Sequence, residues 1–158
     1  MSVNRYKPHV LIIPEDDANR QLANGFNLNI SATQLQVEQA ARGWRHVYEI
    51  FVSDYAPLMD KFKNRFIVLL IDFDDDLDRL QEVKLQIPHD LADRVFILGA
   101  RTEPEALKQA GLGSYEAIGR TMAEDCQNKT QTIWGHELLR HNEGELNRLR
   151  EAVCAILF

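Results

Sequence analysis

The chain has 158 residues, 45% hydrophobic and 27% charged, enough for a single domain spanning residues 1–158 with a sizeable core. Its 24 acids against 18 Lys and Arg leave a net charge of −6, which excludes the broad basic surface that drives non-specific nucleic-acid binding by counterion release; a nucleic-acid partner needs a local basic patch or a bound cation. No apolar run approaches the roughly 20 residues a bilayer demands, and MSVNRYKPHV does not read as a leader, so no membrane partner and a cytoplasmic location are expected.

Taken in chain order, His9 to Ile13 reads as a short buried strand closed by Pro14. Asp16 or Asp17 can cap the next helix, and Asn24-Gly25 predicts its end. In LQVEQAARG, Leu35 and Val37 alternate with Gln34, Gln36 and Glu38; the segment fits a strand or the start of a helix, and the strand is preferred. Trp44, Val47, Tyr48, Phe51, Tyr55, Leu58, Met59 and Phe62 recur at steps of three and four, predicting a helix of about five turns, broken near Ala56 by Pro57. Arg65 to Ile71 is apolar without alternation, as in a strand covered on both faces. Leu77, Leu80 and Val83 then predict a short helix ending before Pro88, and Arg94 to Gly99 a fourth buried strand.

Pro104 suits a first helical position, Gly111 and Gly113 interrupt, and Ser114 can cap a helix bearing Tyr115, Ile118 and Met122. From Glu145, the spacing of Leu146, Leu149, Val153 and Ile156 predicts a final amphipathic helix whose apolar stripe docks within the chain, on a partner protein or on a second copy in a homo-oligomer. Residues 114–158 are thus expected as a C-terminal helical extension of the domain. Cys126 and Cys154 lack ligand spacing and read as free thiols.

Strands alternating with helices predict an α/β fold: one three-layer domain, a mostly parallel sheet of four or slightly more strands, and helices on both faces. Right-handed crossovers bring the strand C-terminal ends to one edge, where ligands bind in open α/β sheets. Acids crowd that edge: Glu15 after the first strand, Asp72 and Asp74 after the third, Glu103 and Glu105 after the fourth. Asp72 and Asp74, two apart in extended chain, project the same way and can share a cation, which Glu15 joins if the first strand lies beside the third. Asp75 and Asp76 read as helix-start acids, Asp78 as a solvated neighbour of Arg79, and Glu103 and Glu105 as acids of a helix start. Arg101, on the same edge, can clamp a phosphate or pair with Glu103 or Glu105, and Arg140, His141, Arg148 and Arg150 can form a local basic patch or a solvated face.

Three familiar motifs are excluded. Leu77 and Val83 stand where a calcium loop needs Gly and Glu, His136 and His141 are five apart where the zinc-protease helix needs four, and Gly111-Leu112-Gly113 lacks the phosphate-loop spacing and its Lys-Ser/Thr.

The glutamate of IIPEDD with the Asp72-Phe73-Asp74 of LLIDFDD, across residues 9 to 112, resembles the Toprim (topoisomerase-primase) domain family. That resemblance implies Mg²⁺- or Mn²⁺-dependent phosphodiester chemistry on DNA or RNA by a small nuclease-like protein or a degenerate relative of one. Asp72 and Asp74 would be the metal ligands, and Glu15 a ligand or general acid/base, so that these three residues form the catalytic site; the place of Arg101 past the fourth strand makes it the expected substrate-binding residue beside them. The stretches IIPEDDANRQL and RVFILGARTEPEALKQAG also resemble response-regulator receiver domains, which implies a signalling role with Asp72 as phosphoacceptor. A third reading is a non-catalytic α/β interaction domain.

Overall fold

A computed structural model describes residues 3–30 and 33–158. Four strands, β1 (His9–Pro14), β2 (Leu35–Val37), β3 (Arg65–Leu70) and β4 (Val95–Leu98), form an all-parallel sheet in the order β2-β1-β3-β4. The helices are α1 (Asp17–Leu28), α2 (Trp44–Ile50), α3 (Arg79–Gln86), α4 (Pro104–Gln109), α5 (Tyr115–Asn128) and α6 (Glu143–Leu157). Strand alternation divides the core in two. Val10, Ile12, Val68, Phe96 and Leu98 pack with α1, α5 and α6, whereas Leu11, Ile13, Ile67, Leu69 and Ile97 pack with α2 and α3. The expected three-layer α/β architecture is therefore present. Among the described residues no helix is long and apolar enough to cross a membrane.

The C-terminal segment belongs to the first of these layers. Leu146, Leu149, Val153 and Leu157 of α6 are buried beside the sheet, and Phe158 lies against Phe26 of α1 with ring centroids 6.3 Å apart. The apolar stripe read from the sequence is thus covered within the chain.

Two helix boundaries differ from expectation. Asn24-Gly25 does not stop α1, which runs on to Leu28. A Cβ at Gly25 would overlap the Glu116 carbonyl of α5, and one at Gly119 would overlap the Leu22 carbonyl of α1, so the glycine pair lets two helices touch backbone to backbone. The helix starting at Trp44 is also shorter than its apolar stripe. Regular α-helix ends at Ile50, a π-helical turn spans Phe51–Tyr55, and a 3₁₀ turn holds Ala56–Leu58. The break expected near Pro57 is spread over two turns of different pitch, which carry Phe51 and Met59 into the core although the α-helical register is lost.

β4 is an edge strand, and side chains cap its open side. Glu145 accepts from the Ile97 N–H at 3.4 Å, Asn142 both accepts from and donates to the Gly99 backbone at 3.1 and 2.9 Å, and Arg148 donates to the Ala92 and Val95 carbonyls. This closes the edge to pairing with another strand. It also accounts for most of the C-terminal residues read as a basic patch: Arg148 bonds backbone and Glu145, His141 meets the Gly99 carbonyl at 2.8 Å, and Arg150 donates to the Thr130 carbonyl. Only Arg140 of that group is solvent-exposed without such a partner among the described residues.

Candidate active site at the β1–β3 crevice

The strand order reverses between β1 and β3, because β1 leads sideways to β2 on one side while β3 leads to β4 on the other. Such a point opens a crevice at the carboxyl ends of the strands. β1 and β3 pair in register from His9↔Arg65 to Pro14↔Leu70, which puts Glu15 and Ile71 side by side as the chain leaves the sheet. The expected meeting of Glu15 with Asp72 follows: Glu15 Oε2 accepts from the Asp72 N–H at 2.6 Å.

Past β3 the chain stays paired with the segment after β4. The N–H groups of Ile71 and Phe73 donate to Leu98 and Ala100, and those of Asp74 and Asp75 to Thr102 and Arg101. A side chain at Gly99 would overlap the Ile71 carbonyl oxygen, so glycine is required for this close approach. Phe73 points into the core under α2 and α3, with the His141 ring edge-on at 5.1 Å. Asp74 and Asp75 both adopt positive φ, 48° and 60°, a region where Asp is tolerated better than most residues. That pair of left-handed residues ends the extended alternation on which the parallel projection of Asp72 and Asp74 relied.

Asp72 is 6% exposed. Its carboxylate accepts one hydrogen bond, from Asn19 Nδ2 at 2.8 Å, and the same nitrogen lies 2.9 Å from Asp16 Oδ1. Asp16 also caps α1 through the Asn19 N–H, so the helix start and the site share one fixed amide. Burial pushes the Asp72 carboxyl up to about 8; the Asn19 bond opposes this, and Glu15, Asp16 and Asp74 add to it. Glu15 is also raised, by burial first, against the Asp72 N–H that stabilises its charge, and further by Asp16 and Asp74.

Asp74 is turned toward Arg79, whose NH1 lies 3.1 Å from Asp74 Oδ2 and 2.8 Å from the Asp72 carbonyl. Arg79 stacks on Trp44 at 4.6 Å and is held on both faces of its task. Arg101 has neither Glu103 nor Glu105 as its partner: its Nε pairs with Asp75 at 3.2 Å. Asp75 is consequently an ion-pair residue and Asp76 a turn residue, accepting from the Asp78 N–H at 3.1 Å; neither caps α3, which begins after Asp78. Glu103 occupies the N-cap position of α4 without a side-chain bond there, and Glu105 stands in its first turn.

The acids expected at one locus are therefore divided. Glu15, Asp16 and Asp72 converge, Asp74 borders them under Arg79, and the positions of Glu103 and Glu105 belong to α4. Among the described residues no three His, Cys, Asp or Glu side chains form a ready-made metal cage. The donor chemistry nonetheless suits a hard cation that takes one or two carboxylates and keeps its waters. Of the four buried side-chain polar atoms without a hydrogen-bond partner among the described residues, three belong to residues touching the segment 72–74: Asn19 Oδ1, Thr102 Oγ1 and His141 Nδ1. Native interiors leave few such atoms, and their concentration marks this edge. Asn19 and Arg79 had not been singled out from the sequence. For Asn19 a signal existed, its place three residues after a capping Asp; Arg79 had none.

The chain matches no protein-family model, no curated protein and no solved structure.

Proposed function

We propose that the β1–β3 crevice performs divalent-cation-dependent cleavage or transfer of a phosphodiester in nucleic acid, the Toprim-like reading of the sequence. The observation that carries this reading is the meeting of Glu15 and Asp72 where the strand order reverses, among more acids than their neighbours neutralise. Asp72 and Glu15 would hold Mg²⁺ or Mn²⁺, with the spare Asn19 Oδ1 as a neutral oxygen donor beside them, and Asp74 would join them only on leaving Arg79. When bound, such a cation offsets charge developing on a phosphate and acidifies a coordinated water.

The chain's own groups have definite tasks in this scheme. Asn19 orients the Asp72 carboxylate and keeps Asp16 on the helix start. Glu15, raised above the ordinary carboxylate value by burial, is the proton carrier of this scheme where it does not hold the ion. Arg79 and Arg101 balance Asp74 and Asp75 in the absence of substrate; a phosphate entering the crevice competes for their guanidinium groups, and Arg101, half-exposed, is free to clamp it bidentately.

Calorimetric titration with Mg²⁺ and Mn²⁺ tests the site directly. Wild type should bind one ion at roughly 1–10 mM or below, Asp72→Asn should lose it, and plasmid or RNA cleavage should vanish in the same variant. Absence of ion binding by wild type in this range sinks the reading.

The receiver-like alternative has Asp72 at the expected strand end in its favour. Against it, Gly99 follows the fourth strand, where the backbone of Ile71 leaves no room for a hydroxyl-bearing side chain. Acetyl phosphate labelling of wild type but not Asp72→Asn would reverse this preference.

A further inference from the structure

A second polar site lies beneath the π-helical turn, on the sheet face that carries α2 and α3. It is a cavity of about 130 Å³ whose polar lining comes from Arg5, Gln36, Glu38, Asp54, Tyr55 and Arg65. One water takes about 30 Å³ of liquid, so the space exceeds a single solvent molecule and suits a small organic one.

Arg65 is the unusual member. It is 4% exposed, yet it opens β3 and its guanidinium is held from two sides: Nε donates to His9 Nε2 at 3.0 Å, and the plane lies over Phe62 at 4.6 Å. The first bond fixes the His9 tautomer, since Nε2 must accept and Nδ1–H then donates to the Lys7 carbonyl at 2.7 Å. Burial, followed by Arg65 and Arg5, keeps His9 below its ordinary pKa, in keeping with a neutral ring. The two terminal nitrogens of Arg65 make no hydrogen bond or ion pair to protein among the described residues. Those nitrogens are not among the buried atoms that lack a partner, so they open onto the cavity, and a guanidinium oriented in this way suits an anion there.

The anion is not supplied by the lining acids. Two bases, Arg5 and Arg65, and two acids, Glu38 and Asp54, surround one cavity, and no pair of the four approaches within ion-pair distance. Gln36 braces Glu38 at 3.3 Å, Ser53 donates to Asp54 at 2.9 Å, and Tyr55 of the π turn lines the same cavity, so each acid has a support of its own. A simple anion would gain Arg65 but face both acids. A simple cation would meet the reverse. We propose that this pocket binds a small zwitterion of the α-amino-acid class, its carboxylate on the terminal nitrogens of Arg65 and its ammonium group toward Glu38 and Asp54. Arg5, exposed at the mouth and 5.8 Å from the Phe62 ring, adds positive charge to the carboxylate end. This inference is independent of the acidic crevice at the carboxyl edge.

The test is NMR titration of the full chain with the proteinogenic α-amino acids, using acetate, methylammonium and inorganic phosphate as half-ligand controls. At least one amino acid should shift the resonances of Arg65, Tyr55 and Glu38 with one-site saturation below about 10 mM, and each half-ligand should bind at least about tenfold more weakly. Glu38→Gln, at a half-buried position, should weaken that amino acid about tenfold while leaving the half-ligand acetate no weaker, since one of the two acids it faces loses its charge. Arg65→Lys should weaken both, and if it fails to fold Glu38→Gln decides alone. The proposal is overturned if no amino acid perturbs the pocket at about 10 mM, if phosphate or acetate binds as tightly as the best amino acid, or if Glu38→Gln leaves amino-acid binding intact.

Discussion

Two aspartates are almost equally hidden from solvent, Asp125 at 1% and Asp72 at 6%, and the protein treats them in opposite ways. Asp125, in the last turn of α5, accepts from Thr130 Oγ1 at 2.6 Å and from the backbone N–H groups of Thr132, Ile133 and Trp134 at 3.0, 2.8 and 3.2 Å. Burial alone would raise its carboxyl, but these donors outweigh it and hold the group below the usual range. Asp72 has a single side-chain amide for a partner and three acids for company, so burial prevails. The difference teaches that burial does not by itself indicate a structural carboxylate. Asp125 ties the loop after α5 to its helix, whereas Asp72 keeps one donor, too little to offset its burial and the acids beside it.

The comparison can be broken most directly at Asp125. Asp125→Ala leaves the N–H groups of Ile133 and Trp134 buried without acceptors, and urea denaturation should report a loss of about 4 kcal/mol. A loss below about 1 kcal/mol would mean that the loop holds itself. Next in size is Gly99→Ala. If the strand end bearing Asp72 is positioned by backbone contact instead of by its carboxylate, the clash with Ile71 should cost about 3 kcal/mol and shift the amide resonances of 71–74.

Asp72→Asn should do the reverse of Asp125→Ala. Where the folded protein keeps a proton that the unfolded chain has released, stability falls with rising pH; for Asp72 this window runs from the unfolded value near 3.8 to the folded value of about 8. Asn removes the penalty, so the variant should match wild type near pH 4 and exceed it by about 2 kcal/mol at pH 9, the part of the roughly 6 kcal/mol spanned by that window that survives solvent screening and relaxation at the crevice. Mg²⁺ should narrow that gap by stabilising the ionised wild type, and equal stability of the two proteins at both pH values would contradict the account. The smallest effect belongs to the pH dependence of Asp125. Its depressed pKa gives stability that is complete above the unfolded value near 3.8 and is lost as pH falls through the folded value, so the acid limb of wild type should be steeper than that of Asp125→Asn.

The sequence by itself determined a good deal. Short apolar runs at 10–13, 66–71 and 95–98, bounded by polar or turn residues, fit strands covered on both faces, and three-four periodicity at 115–122 and 146–156 specifies amphipathic helices, so the α/β class was legible. Chain order likewise put Glu15, Asp72 and Asp74 at strand ends. What remained depended on partners far apart in sequence. Asn24-Gly25 looks like a helix stop until Gly119 comes within backbone distance of α1. Asp75 looks like a helix-start acid until Arg101 arrives from beyond β4, and the spacing of Asp72 and Asp74 promises a shared direction until two left-handed residues and Arg79 separate them. Arg65 opens an apolar run and reads as the edge of a strand; only the approach of His9, Phe62 and the π turn makes it the wall of a pocket. Local pattern encodes which face of an element is apolar, but the sign, partner and protonation of a buried charge depend on what folding brings within a few ångströms of it, and that is decided by the tertiary structure alone.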